Sequence, residues 1–115
     1  NRHAKIANAT RKAVKEYGLN LFLENGYSNT VTAICIDEEI GAGNLVKHLL
    51  EKYNLVMTTS LNQYTGKILR IGHMGENAKY EAIVPVLNYI DLGLKDLGFK
   101  TDKNLVELFN KYYNA

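Results

Sequence analysis

This chain holds a single cysteine, a single proline and no tryptophan. Cys35 has no partner for an internal disulfide, which fits a reducing compartment and is read as a cytoplasmic location. One cysteine cannot complete a zinc site, and His3, His48 and His73 do not fall at metal-ligand spacing. No apolar run approaches the roughly 18 residues that span a bilayer, so no membrane partner is expected. No basic-then-apolar signal segment opens the sequence. An excess of charge is missing too: 14 Lys and Arg against 12 Asp and Glu leave +2, well short of the basic footprint of a nucleic-acid binder. A pair of carboxylates, a Gly-x-Ser-x-Gly or a Cys/His pattern for nucleophilic catalysis does not stand out.

What is present reads as one globular domain over residues 1–115, with 46% apolar and 23% charged residues. Residues 3–17 have helical spacing, with Ile6, Ala9, Ala13 and Tyr17 on one face and Gly18 as the stop. Short strands are predicted over 19–23 and 30–36. In the second, Val31, Ala33 and Cys35 alternate with Thr32, Ile34 and Ile36, so both faces are apolar, the strand reads as central and Cys35 as core. A helix over 44–53 follows, with Leu45, Leu49 and Tyr53 in register. Strands are predicted at 55–58 and 67–71. The long pattern over 77–97 repeats Ile83, Leu87, Ile90, Leu94 and Leu97, and continues past Pro85, so the proline kinks the helix without ending it. Leu105, Leu108 or Phe109, and Tyr112 make a terminal helix. This order predicts an α+β fold, a small antiparallel or mixed four-stranded sheet with helices packed mainly on one face.

Gly41-Ala42-Gly43 opens a helix after a strand, but a third glycine and a closing acidic residue are missing, so it reads as a helix start and not a dinucleotide loop. Of eight tyrosines, Tyr17, Tyr53, Tyr80, Tyr89 and Tyr112 fall on helices. That points to packing against helix neighbours and away from a base-stacking platform.

The stretch from Thr65 to Ala78 is the most informative. It sets Arg70 in an apolar strand at the sheet margin, alternating out of the face formed by Leu69 and Ile71, before a glycine-bracketed turn. A planar guanidinium there can grip a carboxylate with two parallel hydrogen bonds. The plain alternative is an exposed arginine paired with a glutamate. The run contains Gly66-Lys67, Leu69-Arg70-Ile71-Gly72 and Asn77-Ala78, and in these it resembles the C-terminal small domain of class V aminotransferases of the alanine–glyoxylate and serine–pyruvate type.

The resemblance implies the C-terminal domain of a fold type I aminotransferase, in which Arg70 binds the α-carboxylate of an amino-acid or keto-acid substrate. Thr65 and His73 would stand at the active-site rim, although His73 also reads as a plain loop histidine. It implies pyridoxal phosphate as the cofactor of the full-length enzyme, held by a large domain with its own lysine, and a homodimer when intact. This chain has no room for that domain, so it is expected to bind no cofactor and to be inactive alone. Its start at Asn1 is then read as a cut inside a longer polypeptide. Where many relatives carry paired glycines, this chain has Thr58-Thr59-Ser60. The rival reading is a stand-alone α+β module that holds a small carboxylate ligand without catalysis.

Overall fold

The computed structural model describes residues 2–21, 31–36, 39–59, 68–72 and 79–114. In chain order its elements are α1 (Arg2–Tyr17), β1 (Asn20–Leu21), β2 (Val31–Cys35), α2 (Ala42–Tyr53), β3 (Thr58–Thr59), β4 (Ile68–Gly72), α3 (Tyr80–Asp96) and α4 (Leu105–Tyr113).

The expected sheet-based α+β fold needs correction, because the described residues are mostly helical. The four helices run to 16, 12, 17 and 9 residues. Two of the strands are only two residues long and the others five. The strands meet in a narrow antiparallel ribbon, order β1-β2-β4-β3. The reason lies in which residues leave water. Among the side chains the structure describes, the buried core includes Ile6, Ala9, Ala13, Val14, Leu45, Leu49, Ile83, Leu87, Ile90, Leu94, Leu105 and Phe109, all helical, together with Ile34 and Leu69 of the strands. Among those side chains, helix burial supplies most of the apolar driving force.

Boundaries shift for local reasons. The helix predicted from residue 44 begins at Ala42, directly after Gly41. The strand predicted over 55–58 is reduced to Thr58–Thr59, because Leu55 and Met57 pack against the core without joining a ladder. Helix α1 stops as expected: Gly18 takes φ 116° and the Leu19 amide donates back to the Val14 carbonyl at 3.1 Å. Helix α3 runs on through Pro85. Cys35, expected in the core, is only half-buried, and burial pushes its thiol up.

The first and last helices pack along each other. Lys111 Nζ lies 2.9 Å from Glu16 Oε1, Tyr112 donates its hydroxyl to the same oxygen, and Lys5 Nζ sits 4.4 Å from the centre of the Tyr113 ring. Asp91 is the point where three helices meet. It is 1% exposed, accepts from the Tyr17 hydroxyl of α1 and the Leu105 amide at the start of α4 (3.3 Å), and lies 3.0 Å from Lys95 Nζ one turn along its own helix. Burial first, then the Asp91 carboxylate, pushes the Tyr17 phenol far above its ordinary range.

Candidate functional site

Strand β4 is an apolar, β-branched run, and its register is fixed by burial. Leu69 stands across from Ile34 of β2, and both are fully buried. A slip of one residue would turn that pair to the other face. Arg70 follows as the central residue of β4. Its backbone is paired with Ala33 of β2 on one side and with Thr58 of β3 on the other. The sequence reading set it at the sheet margin. Strand β4 is instead an inner strand, because β3 adds outside it. The Arg70 side chain lies outside the described residues, as do Thr65 and His73 and the neighbouring Gly66, Lys67, Asn77 and Ala78.

Behind this strand, α2 packs on β3 and β4 and is locked to α3. The helices approach closely at Gly93, where an added Cβ would stand 2.7 Å from a Leu49 methyl. At the end of α3, one oxygen of Asp96 takes three partners from α2: His48 Nε2 at 3.0 Å, Lys52 Nζ at 3.0 Å and the Tyr53 hydroxyl at 2.7 Å. The His48, Tyr53 and Lys52 contacts, in that order of effect, hold the Asp96 carboxyl well below the usual carboxylate range. The ring of Tyr53 also stacks on Tyr89 of α3, centroids 5.2 Å apart. This cluster is not legible in the sequence, because His48, Lys52 and Tyr53 lie 43 or more positions from Asp96.

A carboxyl whose folded pKa is depressed contributes stability above its ordinary value of 3.8 and loses it as pH falls through the lowered value. Asp96→Asn is therefore expected to lower stability at neutral pH, where this contribution is fully present, and to flatten the acid limb of the stability profile below about pH 4, where the two proteins converge. Urea unfolding at a series of pH values checks this. Glu16, also held low by Tyr112 and Lys111, leaves a residual slope in the variant. An unaltered limb would remove Asp96 from the account.

A shallow depression of about 350 Å³ beside this cluster is lined by Glu39, Asn44, Lys47, His48 and Glu51 among others. Its walls mix both charges. Among the described residues there is no group of three or more His, Cys, Asp or Glu able to hold a metal ion.

An imine-forming lysine has to lose its proton near neutral pH, which burial or a second cation brings about. Every described lysine is exposed. Lys52 and Lys111 are pushed the wrong way, upward, by Asp96 and Glu16 respectively. The described residues thus do not fit a pyridoxal phosphate site.

Comparison with known proteins supplies what the described side chains alone do not. No family model matches the chain. It is 37% identical over 100 residues to the serine–glyoxylate aminotransferase of Arabidopsis thaliana, a match covering 85% of this chain and 25% of that protein. Against the serine–glyoxylate aminotransferase of Methylorubrum extorquens it is 36% identical over 101 residues, covering 83% and 25%. The crystal structure of pyridoxamine–pyruvate aminotransferase from Mesorhizobium loti superposes with a TM-score of 0.87 at 25% identity, over 98% of this chain and 30% of that one.

The chain belongs to the class V aminotransferases. It corresponds to the C-terminal portion of the serine– and alanine–glyoxylate members and spans about a quarter of the length of the curated relatives it matches. This is the family that the run around Arg70 resembles. Among the described residues no helix is long and apolar enough to cross a membrane.

Proposed function

We propose that this chain is the small C-terminal domain of a pyridoxal-phosphate-dependent transaminase, and that Arg70 binds the α-carboxylate of its amino-acid and keto-acid substrates. The observation that carries the reading is the Leu69-Arg70-Ile71-Gly72 run, whose strand is pinned by the buried Leu69–Ile34 pair and flanked by a neighbour on each side. A rigid inner strand suits the task, since a binding group on a scaffold strand holds its geometry better than one on a loop. The guanidinium cannot be deprotonated, offers five donors in a fixed fork and so orients a carboxylate as well as attracting it. Charge-assisted hydrogen bonds of this kind contribute about 1.5–3 kcal/mol each.

The exposure of the described lysines supports assigning the cofactor and its lysine to a separate large domain, which in this reading precedes the chain in the same polypeptide. The chain's own part is to bind and orient the substrate at the mouth of the site, with Thr65 and His73 on the rim. The complete enzyme is then a homodimer working in the cytoplasm, and the 115-residue chain by itself turns nothing over.

Complementation tests this. The chain, produced separately, is mixed with the large domain of the Methylorubrum extorquens serine–glyoxylate aminotransferase, each part being inactive alone. Transfer of the amino group from serine to glyoxylate by the mixture is the expected result. A chain that binds glyoxylate in isothermal titration yet never restores turnover would instead be the stand-alone carboxylate-binding module.

A further inference from the structure

Arg70 owes its inner position to β3, the strand outside its own, and β3 consists of Thr58 and Thr59 alone. Two paired positions do not hold a strand in place by themselves. Its seat is set by what it is tied to, and that is α2, which ends at Tyr53. The link between them is stiff. Asn54 caps the helix at φ 56°, the Leu55 amide donates back to the Leu49 carbonyl at 3.1 Å, and Leu55 and Met57 pack on the core. Helix α2 is itself fixed at two levels. Leu45 and Leu49 bury its middle against α3 at Gly93, and Asp96 of α3 gathers His48, Lys52 and Tyr53 from its last turns onto one carboxylate oxygen. Stacking of Tyr53 on Tyr89 ties the same end.

We propose that Asp96 is a positioning residue for Arg70: by clasping the end of α2 to α3, it keeps β3 seated against the strand that carries the guanidinium. This rests on the substrate-binding reading of Arg70. The coupling runs through backbone, from the clasp along residues 53–58 into β3, and then across the pairing of Thr58 with Arg70 and of Thr59 with Leu69. With β3 unseated, a rigid inner strand becomes an edge strand and a poorer mount for a binding group. Asp96 meets neither substrate nor reacting atoms in this role. A single exposed ion pair is too weak for it, but three donors converge on this carboxylate. The rings of His48 and Tyr53 also meet edge to face, centroids 6.1 Å apart, so packing holds the donors as well as charge.

The test compares Asp96→Ala with Asp96→Glu, which keeps the carboxylate. Amide hydrogen exchange in the chain alone is followed by NMR at Thr58 and Thr59 in β3, and at Leu87 and Ile90 in the middle of α3. Global unfolding breaks the clasp under any account, so the α3 amides quicken in Asp96→Ala either way. The β3 amides are expected to exchange through local opening, identified by insensitivity to dilute urea, and quicken only if that opening breaks the clasp. Exchange about threefold faster at β3 is the expected result, the scale of a small ion-pair network, with Asp96→Glu restoring the original rate. In the complemented enzyme, KM for serine is expected to rise by about the same factor with kcat nearly unchanged, because the binding-competent fraction falls. Quickening confined to α3, no change in either element, or β3 amides as sensitive to urea as those of α3 would overturn the positioning role. So would faster β3 exchange with an unchanged KM. Tyr53→Phe, which removes one donor and keeps the ring on Tyr89, gives the same exchange test should Asp96→Ala not fold. A normal KM in Arg70→Ala would overturn the underlying reading instead. The exchange measurement needs no turnover, so it decides the seating of β3 even if complementation fails.

Discussion

Arg70→Ala is expected to cost roughly 2–5 kcal/mol of transition-state stabilisation in the complemented enzyme, by analogy with truncation of one partner of a buried charge pair. At about 1.4 kcal/mol per decade this is a fall of some thirtyfold to several thousandfold in kcat/KM. Two effects combine to make it large. In the proposed role, the substrate carboxylate would lose a two-pronged, charge-assisted contact and be left without a counter-charge. Arg70→Lys should recover only part of the loss, because an ammonium restores the charge but not the planar fork. Stopped-flow and steady-state kinetics with serine and glyoxylate would check both variants, with a urea titration to establish that each is folded. Near-normal turnover in Arg70→Ala would remove the assigned role.

The second large effect concerns folding. Asp91→Ala is expected to destabilise the chain by about 3 kcal/mol, close to the lower end found when one partner of a buried charge pair is removed. The substitution strips the acceptor from the buried Tyr17 hydroxyl and from the Leu105 amide at the start of α4, and each buried polar group left unpaired costs about 1–3 kcal/mol. Lys95, which is partly exposed, finds water instead and adds little. Asp91→Asn keeps an acceptor for both groups and should lose less. Urea unfolding by circular dichroism, with the slope unchanged and the midpoint lowered, is the expected signature. A double variant with Tyr17→Phe should be less than additive, because the two changes share one contact. Full additivity would mean that the Tyr17–Asp91 pair contributes nothing.

Sequence reasoning reached the helices best because their signal is repeated many times. Of the predicted α3 stripe, Ile83, Leu87, Ile90 and Leu94 are fully buried, whereas Leu97 follows the last helical residue and is half-buried. The helical tyrosines do pack against neighbours: Tyr17 stacks on Phe99, Tyr53 on Tyr89, and Tyr80 against Phe109. The strands were the weaker reading. A two-residue strand such as Thr58–Thr59 has no periodicity to detect, and Leu55 and Met57 imitate one by packing beside it. Arg70 was expected at a margin because nothing local announces that a second strand will lie outside its own. Asp91 was also hidden. A carboxylate within a helix reads as solvent-facing, and only the arrival of Tyr17 and of α4, from opposite ends of the sequence, makes its burial possible. The Asp96 cluster is invisible for the same reason.

The side-by-side packing of α1 and α4 has a consequence for how the molecule is made. Glu16 meets Lys111 and Tyr112, partners 95 and 96 positions further along. As the ribosome delivers the chain, the first helix emerges with its greasy stripe ready and the piece that covers it still unsynthesised. The α4 side of that stripe stays open to water until α4 has been made.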